Sequence, residues 1–233
     1  MSEEQWTHLE WLQGARDLLE WARNTNPDKR IFLFVRHSHR LHSNDQTKLL
    51  HIQLTPLGHE MSKQFGKHIP NRGLLEVFHS EHPRCVETAQ GILEGYKSTN
   101  QNALIGGSIR ELLGPLVHTS IGDELEDYGI DGFINRWANG EFPLSQIESL
   151  ENFAKRLFRK AVVQIDSARK ANLLVHVSHD LVLMSLRKAL LGMEAMKQNW
   201  IPFLGGFGVT KVDDSYQWFE KGSITRLSLR RGK

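Results

Sequence analysis

Short apolar runs alternate along the chain with longer segments whose apolar residues recur at helical spacing. Three runs have the length and composition of strands buried on both faces, at residues 31–35, 74–78 and 173–177. Four segments show helical spacing, at residues 57–65, 84–96, 147–165 and 181–191. This alternation predicts an α/β fold: a three-layer sandwich with a mostly parallel central sheet and helices on both faces.

The two ends and the middle of the chain follow other patterns. Apolar residues at helical spacing predict an N-terminal helix over residues 3–25, ended near Pro27. Short apolar runs at residues 208–212, 216–219 and 224–229 predict two or three strands in the tail. Residues 97–146 are rich in glycine and charge, apart from a short possible strand at 103–105. We expect an irregular insertion there and, since no linker interrupts the chain, one domain over residues 1–233.

Composition narrows the class of protein. The chain has 233 residues and a formal net charge of +2, so basicity gives no reason to expect a nucleic-acid or membrane partner. Cys85 is the one cysteine, which fits a reducing compartment. The acidic N-terminus lacks the pattern of a secretory signal, and no apolar run approaches the roughly 20 residues of a membrane span. We therefore predict a cytoplasmic protein.

Polar clusters lie at the C-terminal ends of the three predicted central strands. RHSHR occupies residues 36–40, SEHPR residues 80–84, and HVSHD residues 176–180. The carboxyl ends of parallel strands meet at one edge of a sheet, which is where ligands bind in open α/β sheets. We therefore expect these distant segments to form one pocket.

The residue types in this pocket indicate phosphoryl chemistry. Arg36, Arg40 and Arg84 would repel one another unless they surround a group with two negative charges, and the planar guanidinium binds phosphate through two hydrogen bonds. A histidine beside such a group can attack phosphorus, and a carboxylic acid such as Asp180 can protonate the leaving oxygen. A zinc site at His37 and His39 is the alternative, but it lacks acidic or thiolate partners. We predict no metal and no cofactor.

The order of these motifs resembles the histidine phosphatase superfamily, which includes phosphoglycerate mutases, sugar-bisphosphate phosphatases and histidine acid phosphatases. The resemblance rests on Arg-His-x-x-Arg at residues 36–40, LTPLG at 54–58, Arg84 followed by ETA at 87–89, and the late His179. It spans roughly residues 31–192 and implies a phosphoglycerate mutase-like fold. Two departures stand out: Ser38 occupies a position where the mutase branch has glycine, and LH at 41–42 replaces the proline typical of the acid phosphatases.

The resemblance also implies roles for individual residues. His37 would be the nucleophile that becomes phosphohistidine. The phosphoryl oxygens would be held by Arg36, Arg40, Arg84 and His179. The acid-phosphatase branch implies Asp180 as proton donor, whereas the mutase-like branch implies a glutamate near the position of Glu111. We favour Asp180, although an aspartate there can also simply cap the helix that follows.

These features predict a metal-independent phosphomonoester hydrolase that acts through phosphohistidine on a small phosphorylated substrate. A phosphomutase and a catalytically idle protein that binds a phosphorylated ligand are the alternatives. We expect His39 or His82 to line the pocket and residues 97–146 to set specificity. The tryptophans of the N-terminal segment, Trp6, Trp11 and Trp21, are expected to pack the first helix.

Overall fold

A seven-stranded mixed sheet forms the centre of the computed structural model, which describes residues 2–42, 50–100, 102–168 and 170–227. The strands are β1 (Ile31–Arg36), β2 (Leu75–His79), β3 (Ala103–Ser108), β4 (Leu173–Ser178), β5 (Gly206–Val212), β6 (Ser215–Glu220) and β7 (Ser223–Leu227). Their order is β3-β2-β4-β1-β5-β6-β7. The first four are parallel, and the last three continue the sheet in antiparallel fashion. The predicted α/β class is confirmed.

Helices cover both faces of this sheet. They are α1 (Ser2–His8), α2 (Gln13–Asn24), α3 (Pro56–His68), α4 (Pro83–Lys97), α5 (Gly122–Ala138), α6 (Leu150–Phe158), α7 (Ile165–Ala168) and α8 (Asp180–Leu191). One buried cluster takes its residues from α2, α3 and α4, and the other from α5, α6 and α8. The sheet lies between these clusters, as in a three-layer sandwich.

Strand β1 contributes to both cores because side chains alternate along a strand. Leu33 and Val35 belong to the cluster with α3 and α4, whereas Phe32 and Phe34 belong to the cluster with α6 and α8. All of them are fully buried. The wholly apolar sequence of this strand is therefore explained by burial on two faces, and the strand forms a rigid base for the residues that follow it.

The N-terminal segment differs from one uninterrupted helix over residues 3–25. It forms α1, a 3-10 turn at Glu10–Leu12 and then α2. Leu9, just before the turn, has extended backbone angles, which break the helix between its two parts. The two parts make separate contacts: α1 lies against α3, and α2 lies against β5 and β6.

The stretch at residues 97–146 is more regular than its composition suggests. It contains β3, a 3-10 turn at Arg110–Leu112, and α5. Gly129, at φ 65°, interrupts α5 with a non-helical conformation. The many acidic residues of α5 also obscure its helical pattern in the sequence. The predicted tail strands are present, although positions 228 and 229 lie outside the described residues. In the described part of the chain, no helix has both the length and the apolar character that crossing a bilayer requires.

Candidate active site

The three polar clusters lie side by side because their strands are neighbours in the order β2-β4-β1. Arg36 is paired with Ser178 across β1 and β4. The backbone N–H of His37 donates to the carbonyl of Ser178 at 2.9 Å, and the N–H of Ser80 donates to that of Val177 at 3.0 Å. The sheet therefore brings RHSHR, SEHPR and HVSHD to one edge.

His37 is buried, with 2% of its surface exposed. Its Nδ1 lies 2.9 Å from the carbonyl oxygen of Ser38. Because a carbonyl oxygen can only accept, Nδ1 carries the proton and Nε2 keeps a lone pair. Burial, and then the charges of Arg36 and Arg84, hold the pKa of His37 well below its usual value. The imidazole is therefore neutral, with an unprotonated lone pair at Nε2.

His179 lies beside His37, with their ring centroids 5.6 Å apart. The guanidinium of Arg84 donates to Nδ1 of His179 at 3.2 Å, and Nε2 of His179 lies 2.8 Å from Oγ of Ser80. Since Arg84 can only donate, the proton of His179 is on Nε2. Burial, followed by the charges of Arg84 and His37, holds the pKa of His179 well below its usual value.

Arg36 is fixed from three sides. Its Nη2 lies 2.6 Å from Oδ2 of Asp180, and its Nη1 donates to the carbonyl of Ile201 at 3.0 Å. The ring of Phe203 lies against its guanidinium, with the carbon Cζ 4.3 Å from the ring centroid. Burial lowers the pKa of Arg36, and the charge of Asp180 partly offsets that effect.

Arg84 and Arg40 complete the cationic part of the site. Arg84 is the second residue of α4 and contacts His179 as described. Arg40 donates to the carbonyl of Leu41 at 3.0 Å. Burial is the largest cause of the lowered pKa of both Arg36 and His37. The charge of Arg40 lowers both pKa values further. All three predicted arginines therefore act on the same electrostatic environment.

Two further histidines flank the central pair. The ring of His82 lies 4.8 Å from that of His179, and burial, followed by the charge of Arg84, lowers the pKa of His82 to about 4. His39 is half-buried, and its Nδ1 lies 2.8 Å from Oγ1 of Thr55. His82 thus contacts the site on the side of His179, and His39 lies between the site and the start of α3.

The LTPLG motif holds the RHSHR loop against α3. Oγ1 of Thr55 accepts from the N–H of Gly58 at 3.0 Å and so caps the helix, while Pro56 begins it. A Cβ atom at Gly58 would lie only 1.9 Å from the carbonyl oxygen of His39. The glycine is therefore needed for the close approach between this helix and the loop that carries His37.

The ETA motif supports the same loop from α4. Oγ1 of Thr88 accepts from the N–H of Ser38 at 3.0 Å and donates to the carbonyl of Arg84 at 2.7 Å. A carboxylate oxygen of Glu87 accepts from the N–H of Leu54 at 2.7 Å. These bonds join the loop that carries His37, the start of α3 and the first turn of α4.

The two candidate proton donors occupy different surroundings. Asp180 contacts Arg36, and its Oδ2 also accepts from Nε1 of Trp200 at 3.4 Å. Glu111 instead pairs with Arg156 at 3.1 Å. It lines a groove of about 590 Å³ on the side of α6. The structure brings Asp180 into direct contact with Arg36, which was predicted to bind phosphate. Among the described residues, Glu111 has no contact with a predicted phosphate-binding residue.

Phe203 and Trp11 also lie at the site, and neither was predicted from the sequence. The ring centroid of Phe203 is 5.6 Å from that of His37 and 6.1 Å from that of Trp11. The tryptophan was expected only to pack the first helix. Phe203 follows a proline in a turn between Trp200-Ile201 and Leu204-Gly205, an apolar stretch that gives no local signal of a site.

No cluster of three or more histidine, cysteine, aspartate or glutamate side chains suited to a metal ion occurs within the described ranges. Nδ1 of His37 contacts the carbonyl oxygen of Ser38, whereas Nδ1 of His39 contacts Oγ1 of Thr55.

Comparison with known families shows the family to which the chain belongs. A model described as the histidine phosphatase superfamily, branch 1, matches residues 32–217. Because this match covers well over half of the 233-residue chain, the protein belongs to the histidine phosphatase superfamily. This membership supports phosphatase activity. A search of curated proteins gives no match.

Solved structures agree on the fold. A mycobacterial glucosyl-3-phosphoglycerate phosphatase is 15% identical, with a TM-score of 0.54 over 83% of this chain and 98% of its own. A phosphoglycerate mutase from Bacillus anthracis is 14% identical, with a TM-score of 0.53 over 86% of this chain and 93% of its own. A phosphoserine phosphatase from Entamoeba histolytica, in complex with 3-phosphoglyceric acid, is 16% identical, with a TM-score of 0.52 over 84% and 94%.

The branch of the matching model bears on the choice of proton donor. The His179-Asp180 pair resembles the acid-phosphatase branch, whereas the model that matches is that of branch 1, and a phosphoglycerate mutase is among the similar structures. The aspartate therefore stands in a chain whose overall likeness is to the mutase-like branch, and branch membership alone does not assign it the role of proton donor.

Proposed function

We propose that the protein is a metal-independent phosphomonoester hydrolase that acts through a phosphohistidine at His37 on a small phosphorylated substrate. The observation that carries this proposal is the tautomer of His37. Its Nδ1 proton is held by the carbonyl of Ser38, and the lowered pKa keeps Nε2 free of a proton. A neutral imidazole with a fixed lone pair is the form that attacks phosphorus.

In the first step, Nε2 of His37 forms a bond to phosphorus while the bond from phosphorus to the leaving oxygen breaks. The phosphoryl group carries two negative charges and places further charge on its oxygens during transfer. Arg36, Arg84 and Arg40 supply positive charge around it, and the fixed contacts of Arg36 reduce the reorganisation needed at the moment of reaction. His179 stands next to His37, and its Nε2–H, which contacts Oγ of Ser80 in this structure, would donate to one of the same oxygens.

We assign the proton donor to Asp180. Its carboxyl group contacts Arg36, so it lies next to a phosphoryl group bound by that arginine. In its acid form it gives its proton to the leaving oxygen in the first step and is left as a carboxylate beside Arg36. In the second step it takes a proton from the water that attacks phosphohistidine, which releases inorganic phosphate and restores His37. Glu111, paired with Arg156, is the competing donor.

Single-turnover labelling tests this function. The protein is mixed with a ³²P-labelled phosphomonoester, quenched in alkali, and digested to locate the label. We expect an acid-labile phosphoryl group on His37, release of inorganic phosphate, and turnover unaffected by a chelator. His37→Ala should abolish label and turnover, whereas His8→Ala, which changes an exposed histidine of α1, should leave both unchanged.

Other outcomes of this experiment exclude the proposal. A phosphoryl group that is labelled on His37 but passed to a second hydroxyl of the organic product, with no phosphate released, would indicate a phosphomutase. Binding of phosphate without any label or turnover would indicate a catalytically idle protein.

A further inference from the structure

Three half-buried aromatic side chains stand in contact with one another beside the nucleophile. They are Trp11, His39 and Phe203, which we call the aromatic wall. The ring centroid of Phe203 lies 5.3 Å from that of His39 and 6.1 Å from that of Trp11. The centroids of Trp11 and His39 are 6.3 Å apart. The wall is therefore one continuous surface built from three separate parts of the chain.

The aromatic wall is attached directly to the catalytic residues. Phe203 lies against the guanidinium of Arg36 and 5.6 Å from the ring of His37. Because His37 is nearly inaccessible, only the phosphoryl group can reach it, and the body of a substrate remains among the partly exposed residues around it. The wall is part of that surrounding surface.

The geometry of the wall suits a flat ring. Trp11 and Phe203 are almost perpendicular, with an interplanar angle of 87°. Aromatic rings prefer edge-to-face and offset-stacked contacts, and two perpendicular rings form a corner in which a third can stack on one and meet the edge of the other. The neighbouring arginines disfavour a cationic group at the same place.

The position of Trp11 in the chain indicates a role in specificity rather than in the shared chemistry. It lies in the 3-10 turn at Glu10–Leu12, outside the residues 32–217 that match the family model. The break between α1 and α2 therefore places a side chain of this N-terminal segment next to a site that the rest of the chain builds.

We propose that the aromatic wall is a subsite for the leaving group and that this protein prefers phosphomonoesters whose alcohol carries a flat aromatic ring. This inference rests on the proposed function, since it describes the substrate of the same site. It assigns Trp11 and Phe203 as residues that determine specificity.

Three alkyl phosphates with similar leaving groups test the proposal: 2-phenylethyl, 2-cyclohexylethyl and ethyl phosphate. We expect kcat/KM for the phenyl compound to exceed that for ethyl phosphate by about tenfold, mainly through KM, since ring contacts of this kind are worth about that factor. The cyclohexyl compound should fall well below the phenyl compound. Equal values for the two ring compounds would show a merely apolar surface and overturn the aromatic assignment.

Matched tryptophan variants locate the effect. Trp11→Leu should reduce the preference for the phenyl compound over ethyl phosphate about fivefold or more, and Trp11→Phe should retain most of it. Trp21→Leu is the control, because Trp21 belongs to the same N-terminal segment but stacks on Phe219 of β6, with centroids 4.9 Å apart, and lies over Gly208 of β5. Equal changes in Trp11→Leu and Trp21→Leu would overturn the proposal. If Trp11→Leu does not fold, Phe203→Leu must show the same loss of preference.

Binding separates this inference from the proposed function. Calorimetry with His37→Ala measures affinity for the three phosphates without turnover. If the wild-type protein hydrolyses none of them while His37→Ala binds the phenyl compound about tenfold more tightly than ethyl phosphate, the aromatic wall stands and the hydrolase proposal fails. If the wild type hydrolyses all three at equal kcat/KM and affinities are also equal, the hydrolase stands and the wall is overturned.

Discussion

Nη2 of Arg36 lies 2.6 Å from Oδ2 of Asp180, so a predicted phosphate ligand and a predicted proton donor are directly paired. The two residues come from adjacent parallel strands: Arg36 ends β1, and Asp180 begins the helix after β4. The pair has two possible uses, since the carboxyl group can orient the guanidinium or can deliver a proton to the leaving oxygen. These uses predict different kinetics.

Asp180→Asn should slow hydrolysis of a poor leaving group far more than that of a good one. Loss of a general acid costs about 10²- to 10⁴-fold when the leaving oxygen needs a proton, and little when it departs as a stable anion. We expect a large drop in kcat for phenyl phosphate and a small one for 4-nitrophenyl phosphate. Both substrates carry an aromatic ring, so a contact with the aromatic wall would affect both rates alike and would cancel when they are compared.

Glu111→Gln is the matched comparison for this experiment. We expect it to lower kcat for phenyl and 4-nitrophenyl phosphate to the same extent, because Glu111 pairs with Arg156 rather than with a phosphate ligand. A strong dependence on the leaving group in Glu111→Gln, with equal losses in Asp180→Asn, would reverse the assignment and leave Asp180 as a positioning residue for Arg36.

The free energy of unfolding should decrease as the pH is lowered below about 6.5, partly because of His176. This residue is fully buried among Phe32, Phe34 and Phe78, and burial lowers its pKa to about 3. As pH falls below the unfolded pKa of about 6.5, the unfolded chain binds a proton that the folded protein does not bind until about pH 3. The free energy of unfolding therefore decreases by up to about 1.4 kcal/mol per pH unit from this group.

His176→Phe should remove that contribution. We expect the free energy of unfolding, measured in urea at several pH values between neutrality and pH ~4, to depend less steeply on pH than in the wild type. The difference in slope should correspond to about one proton fewer taken up on unfolding. Leu174→Val, on the same face of β4, is the control: it should lower the free energy by a similar amount at every pH. An unchanged slope in His176→Phe would contradict the low pKa.

Gly58→Ala should disturb both stability and turnover. The added Cβ would lie 1.9 Å from the carbonyl oxygen of His39, a backbone atom that cannot move without moving the loop that carries His37. We expect a loss of about 1–3 kcal/mol in the free energy of unfolding, together with a lower kcat. Gly14→Ala is the comparison, since its nearest neighbours are 3.9 Å and 4.0 Å away and alanine favours the helix. Equal effects of both substitutions would refute the close-contact explanation.

Cys85 should be unreactive in the folded protein although it lies within 3.8 Å of the ring of His179. It is fully buried, and burial raises the pKa of its thiol to about 12, so the nucleophilic thiolate is scarce. We expect iodoacetamide at mildly alkaline pH to leave the native protein unmodified and active, as followed by mass spectrometry. The same reagent in denaturing urea should label the thiol. Equal labelling rates in both conditions would show that the thiol is accessible.

The central strands and the edge that carries the site could be predicted from the sequence because their signals are local. An apolar run such as that at residues 31–35 has few alternatives to a strand buried on both faces. Parallel pairing then places the residues after each strand at one edge, which is how RHSHR, SEHPR and HVSHD come together. The N-terminal segment and α5 were harder, because a break after Leu9 and a glycine at φ 65° interrupt their periodicity.

The sequence by itself determined the α/β class, the strand ends that carry the polar clusters, and the residue types expected to hold a phosphoryl group. Only the tertiary structure decided which nitrogen of His37 bears the proton, that Asp180 pairs with Arg36, that Phe203 stands beside His37, and that Trp11 stands beside Phe203. The physical reason is range. Strand formation depends on neighbours along the chain, whereas these contacts join residues that are far apart in sequence and meet only when the sheet and its helices have packed.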